Sequence, residues 1–580
     1  MRRNSLPILL FIMLFADALL LNAQPYDQRA SKKTYQDIPL SRKKGSGPRY
    51  WIAYEYCWVN NKPIPEELWK KNIDWVNDNF KAFGYDMVSN DGWIEGAQTL
   101  NENGFITKYN SNWQFGFDYW AKYIADKGMK MGVYYNPLWL TKTAYHDNLP
   151  VKGTGYTSRD ITGPVSFNSE LYWVDVDRPG AKEWIQEYIR YFKEMGVNFL
   201  RIDFLENYEN NYGLEKYNKA LRWMREAADS TMMLSLVMPN CFNHGTTELK
   251  YGDMIRISDD CFNGGWEFTS SRRRGQSKHN WPQFANAFDG FVSFADIGGR
   301  DQMVLDGDFT RINTLPTENE KKFQISLLAM TGSPIAIADQ FNTIGNDAWL
   351  YQNEELLSLN DEGFAGKPIS YDMNDAANSS RWIGQMPNGD WVIGLFNREE
   401  TEQERGIDFV KELGLKKDGK YQVRDLWLHK ELGGYSNTFS VKLLPHECRV
   451  IRITNNSSKY EAEVASLING SKKQSDEEKA SGIGYVNMSK DSATVLIAVD
   501  IAKPKVYRLR LNYKNVDNSG STSRIEIKSN DRSISLAPGS HQDWKLMNCD
   551  VYLEAGTNYL YITRYGKNGI DFKLDYIEIR

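Results

Sequence analysis

The chain is poor in the features that would announce a metal centre, a membrane protein or a nucleic-acid binder. Five cysteines in 580 residues, Cys57, Cys241, Cys261, Cys448 and Cys549, are too few and of the wrong parity for a disulfide framework. One bridge among Cys57, Cys241 and Cys261 is compatible with their positions, and buried free thiols are the simpler expectation. None of the six histidines falls in a zinc-binding spacing, which argues against a catalytic metal. No G-x-S-x-G occurs, so a serine nucleophile has no support. The net charge of -5 is mild and spread along the chain, with one dense basic patch, Arg272 to Arg274, and this excludes a general nucleic-acid binder.

Long apolar runs are also missing, except at the start. Arg2 and Arg3 precede an apolar stretch from Leu6 to Leu21 and then Asn22-Ala23, the pattern of a Sec-type signal peptide over residues 1–23. No cysteine follows directly, so a lipid anchor is not expected. Residues 24–48 read as an N-terminal linker, and no later segment approaches the roughly 20 apolar residues of a membrane span. The expected location is periplasmic or extracellular.

What the chain does have is aromatic residues, 13% of the total with 18 Trp and 33 Tyr, and a regular alternation of apolar runs with amphipathic stretches between residues 50 and 340. Flat rings suit sugar stacking but equally suit a packed core. Eight strand-like runs are expected at Trp51–Tyr56, Asp86–Ser89, Lys130–Tyr135, Asn198–Ile202, Met233–Met238, Met254–Ser258, Phe291–Ala295 and Pro334–Ala338. Helices are expected over Glu66–Phe83 and Ala181–Met195, where apolar residues recur every three or four positions. Eight βα units predict an α/β TIM barrel over residues 49–362. A doubly wound sheet is the alternative, but no glycine-rich phosphate loop follows the first strand. Beyond Asp361 the texture is all-β, predicting an antiparallel β-sandwich over 363–454 and, after the polar stretch Asn455–Lys459, a second sandwich over 459–580.

In a barrel, residues just beyond each strand share one pocket. Two runs end in acid: NFLRID reaches Asp203 and MIRISDD reaches Asp259 and Asp260. Paired carboxylates, one attacking the anomeric carbon and one protonating the leaving oxygen, perform most glycoside hydrolysis. Retention needs them roughly 5 to 5.5 Å apart. Asn90, Asp91 and Trp93 after the second strand, Tyr134 and Asn136 from the third, and Arg201 and Arg256 would complete the pocket.

The segments FGYDMVSNDGW (Phe83–Trp93), KGMKMGVYYN (Lys127–Asn136), VNFLRIDF (Val197–Phe204), IRISDDCFNGGW (Ile255–Trp266) and KKFQISLLAMTGSPIAIADQ (Lys321–Gln340) resemble, in order, glycoside hydrolase family 27, the α-galactosidase family. The likeness spans residues 50–455. It implies a secreted retaining α-glycosidase with Asp203 as nucleophile and, four residues beyond Arg256, Asp260 rather than Asp259 as acid/base. Asn90, Asp91, Trp93, Tyr134, Arg201 and Arg256 would bind the sugar. Three positions depart from the galactosidase pattern: Asn90 replaces Asp, Arg201 replaces Lys, and Glu55 stands where an aromatic is usual. α-Galactosidase is the leading specificity. The alternatives are an isomalto-dextranase-like α-glucan hydrolase, a β-L-arabinopyranosidase, or a barrel that binds glycans without cutting them.

The last segment, with YEAE at Tyr460–Glu463 and LDYIEI at Leu574–Ile579, resembles carbohydrate-binding modules of the family 6 and family 35 type. That resemblance implies a structural Ca²⁺ held by Glu461, Glu463 and Asp575, whose hard oxygens suit the ion. The expected partner is an oligo- or polysaccharide, and no cofactor is expected for catalysis.

Overall fold

The computed structural model describes residues 45–92, 98–261, 263–276, 283–516 and 523–580. The expected signal peptide and nearly all of the linker, together with Trp93, lie outside the described residues. Of that linker, Ser46 and Gly47 are buried and pinned, Ser46 to the Asn360 carbonyl and Gly47 to that of Gly332.

Eight parallel strands form one curled sheet: β1 (Arg49–Ile52), β2 (Met87–Ser89), β3 (Lys130–Tyr134), β4 (Val197–Ile202), β5 (Met233–Leu236), β6 (Met254–Arg256), β7 (Val304–Asp306) and β8 (Ile335–Ile337). Their order is β7-β6-β5-β4-β3-β2-β1-β8. The remaining seam closes beyond β7, where Thr310 bridges Ile337 in parallel: its amide donates to Ala336 and its carbonyl accepts from Ala338. This is the (β/α)8 barrel. Its strands are buried on both faces, as covered parallel strands are; in β4 only Asn198 is exposed. The helix Ala181–Glu194 turns Trp184, Ile185, Tyr188, Ile189 and Phe192 inward on one face.

Two expected strands are corrected. The run Phe291–Ala295 is not a strand: it belongs mostly to the helix Ala287–Phe294, which Asn286 caps by accepting the Asp289 amide. The seventh strand is instead Val304–Asp306. A short apolar run is ambiguous between the two states, and the cap decides it. The first strand stops at Ile52, and Tyr54–Asn60 is helical.

Between β3 and β4 the chain makes an antiparallel excursion, Trp139–Thr141, Thr162–Ser166 and Leu171–Val174. It carries Trp139 and Phe167 against Phe204.

After the barrel, six strands from Lys367 to Ile453 form one sheet, and Gln403–Asp408 pairs with Thr438–Leu443. One side of this sandwich packs into the barrel's apolar cluster through Trp382, Phe396, Trp427 and Val450, while Ile393, Leu395, Phe439 and Ile451 belong to a core of its own. The basic patch lies at this junction, with Arg274 2.5 Å from Glu399 and Arg272 3.2 Å from Glu400. Two further sheets, from Lys459 to Ile579, enclose a separate core. All five cysteines are buried and free.

Candidate active site

The C-terminal rim of the barrel gathers acids from four strands around two arginines. Arg201 lies in β4 and Asp203 is the first residue beyond it, two positions on. The Arg201 Nε lies 2.9 Å from Asp91 Oδ2, beyond β2, in contact as an ion pair though not aligned as a hydrogen bond. Its terminal nitrogens lie 3.4 Å from Asp306 and 3.7 Å from Asp308. Arg256, in register with Asp306 across β6 and β7, donates to Asp260 at 2.6 Å and also pairs with Asp308.

Asp203 accepts from the Tyr134 hydroxyl at 2.7 Å and from the Phe204 amide at 2.7 Å, while Asn136 Nδ2 donates to its carbonyl. Phe204 itself is held left-handed, at φ 58°. Such strain in a non-glycine residue is tolerated where the surroundings over-determine the backbone.

Five carboxyls, of Asp91, Asp203, Asp260, Asp306 and Asp308, thus face two guanidiniums. The excess of acid shows in their proton affinities. Burial, then the charge of Asp260, raises the Asp203 pKa, against the pull of Arg201 and the two hydrogen bonds. Burial pushes Asp91 up to about 7, with Arg201 opposing and Asp203 adding to the rise. Burial also works against charge on Arg201, but the surrounding acids outweigh it and hold the guanidinium firmly protonated. Asp203 therefore feels the charge of Asp260 at the same mouth. Asp259 instead turns toward Arg273, 3.9 Å away.

Asn90 is buried, with Oδ1 accepting the Tyr134 amide at 3.0 Å and Nδ2 left without a partner. An aspartate here would present an acceptor where this chain presents a spare donor. Glu55 does not reach the acid cluster: it is buried among Asn313, Gln340, Thr343 and Arg311. The aromatic at this rim is Tyr54, whose hydroxyl pKa is raised by burial and then by Asp260, Asp308 and Asp91. Next to it Trp58, 42% exposed, stacks on Tyr54 and donates to Asn263 in the loop after β6.

The structure therefore brings Asn90, Asp91, Tyr134, Arg201, Asp203, Arg256 and Asp260 together. Tyr54, Asp306 and Asp308 were not anticipated. The last two lie in the run VLDGD that ends β7, hidden when the seventh strand is placed at Phe291–Ala295.

The third module holds a second acid group. Glu461, Glu463 and Asp575 are all buried. Lys459 and the Ser481 hydroxyl hold Glu461, the Ile483 amide holds Glu463, and the Ser481 amide and Asn512 hold Asp575. Glu461 Oε2 and Glu463 Oε2 have no partner. Bare carboxylate oxygens suit a hard cation in chemistry. Their placement is not that of a finished cage: no three Asp, Glu, His or Cys side chains among the described residues are grouped to hold a metal ion. Nor does any helix among them have the length and apolarity to cross a membrane.

A parallel barrel with acids gathered at its mouth, followed by a β-sandwich, is an architecture that glycosidases use. Comparison with known proteins agrees: residues 377–453 match the family model described as the alpha galactosidase C-terminal beta sandwich domain. An isomalto-dextranase of Arthrobacter globiformis is 38% identical over 93% of this chain and 91% of its own length. The chain belongs to this enzyme's family, glycoside hydrolase family 27. The solved structure of the A. globiformis T6 enzyme complexed with panose superposes with a TM-score of 0.88 at 36% identity, covering 96% of this chain and 99% of that one. A family 27 β-L-arabinopyranosidase of Geobacillus stearothermophilus shares the fold at 19% identity and a TM-score of 0.60, over 73% of this chain and 99% of that one. Alpha-galactosidase 3 of Arabidopsis thaliana is 22% identical over 70% of this chain and 80% of its own length. The leading galactosidase specificity is thus less well supported than the α-glucan alternative.

Proposed function

We propose that this glycosidase is an isomalto-dextranase-type α-glucan hydrolase, cutting α-glucosidic bonds of dextran with retention of configuration. The observation that carries this reading is the end-to-end match to an isomalto-dextranase, third module included. The departures at Asn90 and Arg201 agree with a sugar other than galactose. The exposed Trp58, stacked on Tyr54 and bonded to Asn263 in the loop after β6, suits a glucan at this rim, since pyranose C–H faces pack on flat rings.

In this reading Asp203 attacks the anomeric carbon, steadied by Tyr134 and the Phe204 amide. Asp260 protonates the departing oxygen and then draws the proton from water. The bond to the leaving sugar breaks as the bond to Asp203 forms, and water later reverses the exchange. Excess negative charge at the mouth stabilises the oxocarbenium-like transition state. Asn90 Nδ2 donates to a ring hydroxyl.

Turnover of dextran compared with 4-nitrophenyl α-galactoside and 4-nitrophenyl β-L-arabinopyranoside tests the specificity. Faster release from dextran is expected; preference for the galactoside would return the assignment to α-galactosidase, and binding without any turnover would favour a non-catalytic barrel. Asp260→Gly should slow poor leaving groups far more than aryl ones. If Asp259→Gly shows that pattern instead, the acid is its neighbour.

Two further readings belong to the same proposal. Export by the N-terminal segment places the enzyme with a polymer too large to enter the cell. Glu461, Glu463 and Asp575 hold Ca²⁺ in a carbohydrate-binding module, for which the two bare oxygens are the support.

A further inference from the structure

We infer that Asp308 is the positioning residue of the proton-transferring acid: it grips both the Arg256 fork and the peptide that follows Asp260, fixing where that acid points. The inference rests on reading Asp260 as the acid/base.

Asp308 cannot meet substrate directly. Its side chain is 0% exposed, whereas that of Asp260 is 20% exposed. What it touches is the machinery behind Asp260. Its Oδ1 pairs with Arg256 Nη2, and the same guanidinium donates through Nη1 to Asp260 Oδ1 at 2.6 Å. Its Oδ2 accepts the amide of Cys261, the residue next to Asp260, at 2.6 Å. Asp260 is therefore held from its side chain and from its backbone, and both holds end on one carboxylate. Oδ2 thus holds a hydrogen bond and Oδ1 an ion-pair contact not aligned as one, while burial pushes the Asp308 pKa up to about 8, with Arg256 opposing and Asp260 adding to the rise.

The backbone supports the same reading. Asp308 sits at φ 75°, a left-handed conformation that a residue with a Cβ adopts at a cost, and its amide donates to Asp306 Oδ1 at 2.8 Å, locking the turn. The preceding Gly307 admits no side chain, since a Cβ there would lie 2.5 Å from the Phe291 ring. Two residues further on, Thr310 closes the barrel seam. A strained turn that tight presents the carboxylate to Arg256 and the Cys261 amide.

The charged and titratable groups facing Asp308 are Arg256, Asp260 and Cys261 from β6 and its loop, Arg201 from β4, Asp306 from β7, and Tyr50 and Tyr54 from β1 and the segment after it. Arg256 is shared between Asp308 and Asp260. Replacing Asp308 removes one of the three carboxyl groups that hold the Arg256 fork, and with it the direction in which Nη1 meets Asp260.

The test compares Asp308→Asn with wild type on the best polymeric substrate and the best 4-nitrophenyl glycoside of the wild type. Asparagine tolerates the left-handed backbone, so the change falls on the hold over Arg256 and the Cys261 amide. The expected result is a loss of roughly 100-fold on the polymer and under about tenfold on the aryl glycoside. Equal losses on both substrates would overturn the inference. Should Asp308→Asn not fold, Arg256→Lys, which keeps the charge but not the fork, should show the same split between leaving groups; equal losses again overturn it. Asp260→Ala separates the two levels. If it lacks the leaving-group split, the acid assignment itself fails. If it has the split while the Asp308 variant does not, only the positioning role falls.

Discussion

Two groups of buried carboxylates, one at the barrel mouth and one in the third module, are compensated in different ways. At the mouth, Arg201 and Arg256 each reach at least three acids, because a planar fork offers several donors in fixed directions. In the module, Lys459 offers one rotatable ammonium to Glu461, backbone amides serve Glu463 and Asp575, and two carboxylate oxygens stay bare. The first arrangement holds several negative charges in a rigid lattice that a positively charged transition state can enter. The second is incomplete without a proton or a cation.

The largest effect that could break this contrast is at the mouth. Asp203→Ala should lower turnover by roughly 10⁴-fold or more while leaving the melting temperature near that of wild type; substantial residual activity would reassign the nucleophile. Next in size is Arg201→Lys, which cannot bridge Asp91, Asp306 and Asp308 together. Losing part of a buried ion network costs about 3 kcal/mol, so thermal melting should begin several degrees lower; an unchanged melting curve would mean that one ammonium serves the lattice as well as the fork.

Smaller again is Asn90→Asp, which replaces a spare donor by an acceptor and adds a carboxyl to an acid-rich site. About a tenfold fall in kcat/KM on the glucosyl substrate is expected, with the ratio of galactosyl to glucosyl activity rising. Parallel falls on both sugars would deny Asn90 a role in selecting the hydroxyl.

The smallest effect sharpens the other half of the contrast. Burial and then Glu461 push Asp575 up to about 7, and burial and then Glu461 raise Glu463 well above the carboxylate range. The folded module therefore binds more protons than the unfolded chain, and its stability must fall as pH rises from the unfolded carboxyl range through about 7. In chelator-treated protein the module's melting temperature should drop by a few degrees between about pH 5 and pH 8; added Ca²⁺ should restore it at the upper pH and do nothing at the lower. Restoration at neither pH would remove the calcium reading.

Much of the barrel was legible because its long elements have strong periodicity. The helices Glu66–Asn79 and Ala181–Glu194 carry one apolar face each, and NFLRID reads as one of eight regularly spaced strands, here ending in acid. β7 was not legible, because three residues are too few to show a period, while the neighbouring FVSFA run imitates a strand. That single exchange concealed Asp306 and Asp308. The first strand erred differently: Tyr54 and Glu55 are adjacent, and only the helical turn that begins there sends the tyrosine to the rim and the glutamate to the β8 loops. The strand-end acids Asp203 and Asp260 were legible in the sequence; the partners that tie them together come from strands far apart in the chain.

The apolar cluster that runs unbroken from the barrel into the first sandwich sets where this polypeptide can be divided. A chain ended near residue 362 would leave the barrel without the packing of Trp382, Phe396 and Trp427, and the isolated sandwich would expose the same rings to water. For library construction or module exchange, barrel and first sandwich form one heritable block, and any recombination point belongs beyond Asn455, whose amide is still fastened to Asp390.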